Sequence, residues 1–151
     1  MARWSSKLSK GAANVRAIGN ITAAAANMRR AKVYDLMFGC NAAPADNAFI
    51  YQAIRTTTVG TGSAVTPVSL DTADAALSAG ATVVTDTITA DPTFSGVAML
   101  NVPLNQRASM RWVAAPGGEL VIPATANNGI ALAISASSTT TFEGSATYEE
   151  L

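Results

Sequence analysis

The chain has 151 residues, of which 49% are hydrophobic and 13% are charged, with one cysteine, no histidine and a net charge of zero. This length fits one domain with an extension. The low charged fraction favours a body that hides surface against partners, with a monomer covered by Thr and Ser as the alternative. The missing histidine excludes Ser–His and Cys–His nucleophile pairs, and the single cysteine excludes an internal disulfide and a cysteine metal cluster.

The first part of the chain is basic. Residues 1–34 hold seven of the ten basic residues and no acid, so they carry +7, while the remainder carries −7. Such an asymmetry favours a binding segment over extra core. Residues 1–30 are also rich in Gly, Ala, Ser and Asn. They are therefore predicted to form an extended or partly helical arm that is ordered mainly by its partner.

Three roles are open for this arm: binding nucleic acid through phosphates, lying as a clamp across an acidic protein surface, or remaining a solvated tail. Aromatic residues are nearly absent from it, so base stacking and nucleic-acid binding are not expected. Trp4 is a candidate anchor for a partner's pocket. The candidate contact residues are the arm's cations and its tryptophan: Arg3, Trp4, Lys7, Lys10, Arg16, Arg29, Arg30 and Lys32. The last three are expected either to anchor the arm's exit or to meet Glu149 and Glu150.

From Ala31 onward the apolar residues repeat with a period of two, which is typical of strands. Tyr34, Leu36 and Phe38 are predicted to share one face, with Asp35 on the other. The segment 71–80 is predicted to be a loop with one helical turn. Strands are predicted around residues 34–38, 49–58, 65–70, 82–89, 98–104, 108–112, 120–122, 130–136 and 142–149.

Eight or nine short strands separated by turn residues favour a β-sandwich. Short and long connections are mixed, which fits a two-sheet jelly roll, while a closed barrel or an immunoglobulin-like sandwich stays open. The predicted fold class is therefore all-β, a jelly-roll-like antiparallel β-sandwich body over residues 31–151. The N-terminal arm over residues 1–30 is predicted to be a separate segment.

The sequence contains no arrangement that indicates catalysis. Asp71 and Asp74 lack the spacing of a calcium loop, and the segment 60–63 has two glycines but no following lysine, so it is a turn and not a phosphate-binding loop. We therefore expect no enzyme activity, no cofactor and no metal. No apolar run approaches the roughly 20 residues that span a bilayer, and no signal peptide is recognised, so a location in the cytoplasm of the producing cell is expected.

Several stretches resemble a known group of proteins. Arg29–Gly39 with Ala43–Asn47, Leu104–Leu120 and Ile122–Ile130 are similar to small virion structural proteins of tailed bacteriophages, and most similar to capsid cement (decoration) proteins. The resemblance covers roughly residues 29–150. It implies a non-enzymatic protein on the capsid surface, often a homotrimer, that clamps and stabilises subunits of the major capsid protein. It transfers no list of functional residues.

Three alternatives differ in class. The first is a neck or tail component of the same particle, which a ring symmetry other than three would favour. The second is a glycan-binding adsorption module, which would need exposed aromatic residues. The third is a nucleic-acid packaging protein, for which tight DNA binding that weakens steeply with salt would be the signature.

Overall fold

The computed structural model describes residues 2–74 and 82–151. Within these residues the chain forms twelve β-strands, so the all-β prediction is confirmed. The strands are β1 (Arg3–Lys10), β2 (Val15–Ala23), β3 (Ala31–Cys40), β4 (Ala48–Thr56), β5 (Thr61–Val65), β6 (Val68–Ser69), β7 (Thr82–Ala90), β8 (Phe94–Asn105), β9 (Met110–Val113), β10 (Leu120–Ile122), β11 (Gly129–Ser138) and β12 (Phe142–Glu150).

The strands form two antiparallel sheets of six strands each. Sheet A has the order β10–β3–β12–β1–β6, with β9 paired to β3 beside β10, and sheet B has the order β5–β7–β2–β11–β4–β8. Aromatic side chains from both sheets fill the space between them, as where the rings of Phe38 and Tyr51 lie 4.8 Å apart. The main core cluster contains residues of both sheets, so the two sheets pack face to face.

The chain is folded back on itself along its length. Strand β1 pairs with β12, β2 with β11, β3 with β9 and β10, and β4 with β8. The first four strands thus meet the last five in reverse order. Strands β5, β6 and β7 follow β4 and add to the outer ends of the sheets, because β6 pairs with β1 and β7 pairs with β2.

The predicted N-terminal arm is not confirmed, because residues 3–23 supply two strands inside the sheets. Strand β1 lies between β12 and β6, and β2 lies between β7 and β11. Leu8 is fully buried, and a Cβ added at Gly19 would come within 2.5 Å of the Leu8 side chain. Strands β1 and β2 therefore touch across the core, and a domain boundary at residue 30 is not confirmed either.

The body's predicted strands agree with the structure in position and differ in detail. The weak strand predicted at 65–70 is divided at Pro67 into the end of β5 and the short β6, which is where a residue without a backbone N–H is tolerated. Of the predicted helical turn, residues 75–80 lie outside the described residues. Asp71–Asp74 form a turn in which the Asp74 N–H donates to the Asp71 carbonyl at 3.0 Å.

Substitutions at Leu8 and Lys7, which are neighbours on β1, distinguish a strand of the core from a solvated arm. We expect Leu8→Ala to lower the free energy of unfolding by about 2–5 kcal/mol, since it leaves a cavity between the sheets. Lys7→Ala, on the opposite face of the strand, serves as the matched control and should cost less than about 1 kcal/mol. Urea unfolding of both variants measures this. Equal, negligible effects would mean that residues 3–10 do not belong to the core.

Candidate functional site

Three of the eight candidate contact residues are held by contacts within the protein, and two of these three are buried in its interior. Trp4 is buried against Tyr148, with the two ring centroids 6.1 Å apart. Lys10 is buried as well. Arg16 is held on the far side of sheet B by bonds of its own. The expectation that Trp4 and Lys10 reach out to a partner is therefore wrong, because both point into the space between the sheets.

Lys10 connects two turns by hydrogen bonds. Its ammonium group donates to the carbonyls of Gly11, Ala13, Ser138 and Thr140 at 3.1, 2.9, 2.5 and 3.0 Å. Burial lowers the pKa of Lys10, and the negative charge of Asp91 partly opposes this. The four carbonyls lie in the β1–β2 turn and in the turn that joins β11 to β12. Lys10 therefore fixes one end of the two-sheet body and has a structural role.

Arg16 has a similar role outside sheet B. Its Nε donates to the Ile134 carbonyl at 3.1 Å, and its Nη2 donates to Gln52 Oε1 at 2.9 Å. The guanidinium carbon lies 4.4 Å from the centre of the Phe94 ring, a cation–π contact. The Arg16 backbone N–H donates to the Asp91 carboxylate at 3.0 Å. These contacts hold the start of β8 against β2.

Arg3 and Lys7 do reach the surface, and each meets an acid of the last strand. Arg3 Nε lies 3.7 Å from a Glu149 oxygen, and Lys7 Nζ lies 3.3 Å from a Glu143 oxygen. The pairing of β1 with β12 sets both contacts. Arg3 stands opposite Glu149, and Lys7 stands opposite Ser145, two residues from Glu143 on the same face. The basic start of the chain is therefore partly neutralised by its acidic end.

The remaining candidates, Arg29, Arg30 and Lys32, lie where the chain enters β3. Arg29 and Arg30 are exposed, and the Arg30 carbonyl accepts a bond from the Leu151 N–H at 2.9 Å. This segment is expected from the sequence to meet the acids of the C-terminal strand, and the backbones do meet, because Lys32 is paired with Glu149 between β3 and β12. The ion pair of Glu149, however, is made with Arg3.

These cations belong to a larger surface, which we call the outer face of sheet A. It consists of the side chains that alternate with the buried ones: Arg3, Ser5, Lys7, Ser9, Lys32, Asp35, Met37, Val68, Arg111, Val113, Val121, Glu143, Ser145, Thr147 and Glu149. Arg111 makes a two-pronged contact with Asp35, at 2.7 and 3.2 Å, and this contact raises the pKa of Arg111. The face thus combines small hydroxyl side chains with paired charges.

Three large apolar side chains are exposed on this face. Val68 is 69% exposed, Val113 57% and Met37 48%. Val68 and Val113 belong to one row across the sheet, which also holds Ser5, Thr147 and Asp35, while Met37 lies in the next row. The sequence analysis missed all three. Alternation along a strand shows which residues share a face, but it does not show which face packs against the other sheet.

A β-bulge opens a groove at one end of this face. Thr147 pairs with Asp35 and Tyr148 with Val33, so Tyr34 has no partner and turns outward. The prediction that Tyr34 shares the buried face of Leu36 and Phe38 is therefore wrong. The groove has a volume of about 290 Å³ and is lined by Arg3, Tyr34, Ala114, Pro116, Glu119 and Glu149.

The groups in this groove already have partners within the protein. The Arg3 guanidinium carbon lies 5.8 Å from the centre of the Tyr34 ring, and the pKa of Tyr34 is raised, mainly by burial. The Glu119 carboxylate accepts a bond from the Gly117 N–H at 3.2 Å. Backbone N–H groups of Glu119 and Gly117 hold the pKa of Glu119 below its usual range. The described residues include no group of three or more His, Cys, Asp or Glu side chains that could hold a metal ion.

Comparison with protein-family models, with curated proteins and with solved structures finds no match for this chain. In the part of the chain that the structure describes, no helix is long and apolar enough to cross a membrane.

The phenol of Tyr148 gives the interior a measurable pH dependence. It is buried, and burial raises its pKa above the ordinary value of 10.0, while the neighbouring Ser6 hydroxyl partly opposes this. The folded state therefore favours the neutral phenol, so this stability is complete below pH 10 and is lost as the pH rises further. We expect Tyr148→Phe to cost only about 0.5–1.5 kcal/mol at pH 7, because it removes a single contact with the Ser6 hydroxyl.

Urea unfolding between pH 8 and pH 11 tests this expectation. Above pH 10 the wild type should lose up to about 1.4 kcal/mol per pH unit more than Tyr148→Phe, the slope for one proton. An identical alkaline slope in the two proteins would contradict the burial of this phenol.

Proposed function

We propose that the chain is a non-enzymatic structural protein of a tailed-phage particle, a capsid cement protein that binds the major capsid protein and stabilises the shell. The observation that carries the proposal is the outer face of sheet A, where paired charges and small hydroxyl side chains surround exposed apolar residues. The resemblance of residues 29–150 to phage virion proteins supplies the kind of particle.

The apolar side chains support a protein partner. A single exposed apolar residue is ordinary, but Met37, Val68 and Val113 lie in adjacent rows of one sheet face. Between Val68 and Val113 stand Ser5, Thr147 and Asp35, and the small side chains of Ser5 and Thr147 allow close approach of a partner's backbone. Apolar contacts surrounded by polar and charged side chains are the usual composition of a protein–protein interface.

The ion pairs of this face support binding to another protein, because an acidic member can be replaced by an acidic group of that protein. In the pairs of Lys7 and Arg111 the basic side chain is about two-thirds exposed, with relative accessibilities of 64% and 63%. The pair of Lys7 with Glu143 is exposed on both sides and contributes only about 0–1 kcal/mol, so a docking protein with acidic groups can replace Glu143 at small cost. Of the eight candidate capsid contacts, Arg3, Lys7, Arg29, Arg30 and Lys32 are the ones retained on this account.

The strand order supports a jelly roll, which we propose as the fold. The pairs β1–β12, β2–β11, β3–β9/β10 and β4–β8 divide between the sheets as expected for an antiparallel double-length hairpin rolled into two layers. Strands β5, β6 and β7 are then an insertion after β4 that widens both sheets. The side chains on the outer face of sheet A are exposed or only partly buried along β1 and β12, so this face is free to meet a shell.

The alternative functions differ in how well the structure supports them. A neck or tail position uses the same outer face and differs only in the partner. A glycan-binding role needs an accessible aromatic ring, and the ring of Tyr34 is covered by Arg3 on one side. The homotrimer implied by the resemblance stays a prediction.

Binding to capsids prepared without this protein tests the proposal. The full chain should bind at a fixed number of sites per capsid, measured by cosedimentation. Met37→Asp replaces an exposed apolar side chain of the outer face with a carboxylate and should weaken binding at least about tenfold. Val59→Asp, in the β4–β5 loop of sheet B, is the matched control and should bind like the wild type. Failure of the wild type to bind, or equal binding of Met37→Asp, would contradict the proposal.

A further inference from the structure

The groove at the Tyr34 bulge is small and combines apolar with charged surface. Its volume of about 290 Å³ lies at the lower end of the range for ligand pockets, roughly 300–1,000 Å³. Ala114 and Pro116 supply apolar surface, and the Tyr34 ring is turned into the groove by the bulge. Glu119 and Glu149 add two carboxylates. An aromatic ring beside carboxylates suits a cationic side chain with a flat head group.

Arg3 already places such a head group in the groove. Its guanidinium carbon lies 5.8 Å from the centre of the Tyr34 ring, within the range of a cation–π contact. Its Nε lies 3.7 Å from a Glu149 oxygen, which is longer than a hydrogen bond of about 2.7–3.2 Å. The Arg3 side chain is 61% exposed. The groove therefore accepts a guanidinium group, but it holds this one loosely.

The two carboxylates of the groove are only partly satisfied by Arg3. The Glu149 side chain is 15% exposed, and its carboxylate accepts no hydrogen bond from the described residues. A carboxylate mostly withdrawn from water is stabilised by charge-assisted hydrogen bonds, which Arg3 does not supply at this distance. Glu119 is fixed in the groove by the bond from the Gly117 N–H at 3.2 Å. Two carboxylates thus share one loosely held guanidinium group.

We propose that the groove binds an arginine side chain from outside, presented by the protein to which the outer face of sheet A docks. The incoming guanidinium group lies on the Tyr34 ring and donates hydrogen bonds to the carboxylates of Glu119 and Glu149. Arg3 is displaced into water, so it acts as an internal competitor. Arginine is favoured over lysine, because its flat head group stacks on a ring and offers a carboxylate two parallel N–H groups.

This inference rests on the proposed function only for the source of the arginine. Lys7 is four residues beyond Arg3 on the same face of β1, roughly 13 Å away at about 3.4 Å per residue. An acidic group that replaces Glu143 beside Lys7, and an arginine that enters the groove, would be two points of opposite charge on the docked protein. Charges at a fixed spacing determine which protein binds and in which orientation.

NMR titration of the purified full chain with N-acetylarginine amide tests the site without any capsid. The Tyr34 ring signals should shift, with a dissociation constant on the order of 1 mM for so small a ligand. N-acetylcitrulline amide has nearly the same shape without the charge. It should bind at least about tenfold more weakly.

Two variants with matched controls identify the groove residues in the same titration. Arg3→Ala removes the competitor and should lower the dissociation constant at least about threefold, whereas Arg107→Ala, in the exposed β8–β9 turn, should not change it. Glu119→Gln should raise the dissociation constant at least about fivefold, whereas Asp46→Asn, in the exposed β3–β4 loop, should not change it. Circular dichroism checks that all four variants are folded.

Three results would overturn the site. They are the absence of Tyr34 shifts at tens of millimolar N-acetylarginine amide, equal binding of the citrulline compound, and unchanged affinity in Arg3→Ala or Glu119→Gln.

Cosedimentation of Glu119→Gln with capsids tests the source of the arginine. Binding should be weakened at least about fivefold, and binding equal to that of the wild type would overturn the shell protein as the source. Self-association of the wild type that is lost in Glu119→Gln would assign the arginine to a second copy instead and would also overturn that source. Failure of the wild type to bind capsids would contradict the proposed function, while the titration would still decide the site.

Discussion

The pairing of the first strand with the last is the interaction on which the rest of the structure depends. Eight consecutive residue pairs join β1 to β12, from Arg3 opposite Glu149 to Lys10 opposite Phe142. On the inner side, Leu8 lies against Gly19, and Lys10 binds the turn that leads into β12. On the outer side, the same pairing places the basic residues of β1 beside acidic ones. One ladder thus builds both the core and the candidate docking surface.

The division of charge along the sequence follows from this ladder. A basic first segment and an acidic remainder indicated a binding arm, yet two of its cations pair with acids of β12, Lys10 is buried and Arg16 is bonded within sheet B. The opposite charges of the two ends of the chain therefore pair with each other, and few unpaired charges are left for a partner. Within the described structure, Arg29 and Arg30 are exposed cations of this segment whose side chains make no hydrogen bond or ion pair.

Alternation of apolar residues predicted the body well because its strands have one buried face. Strand β12 shows this, since Phe142, Ala146 and Tyr148 are buried between more exposed neighbours. The pattern failed for β1, where Ser6 and Lys10 occupy inward positions beside Trp4 and Leu8. It failed for β2 because that strand is buried on both faces and contains small residues. The bulge at Tyr34 and the exposure of Met37 depend on how β3 is aligned with its partner strands. The sequence of β3 alone does not determine that alignment.

Hydrogen exchange of the β1 amides in the purified full chain tests the central claim most directly. The account predicts that amides of β1 that bond to β12 exchange as slowly as those of β12 itself, because both open only when sheet A opens. Exchange of residues 3–10 at the rate of an unstructured peptide, with β12 still protected, would contradict it and would restore an independent N-terminal arm.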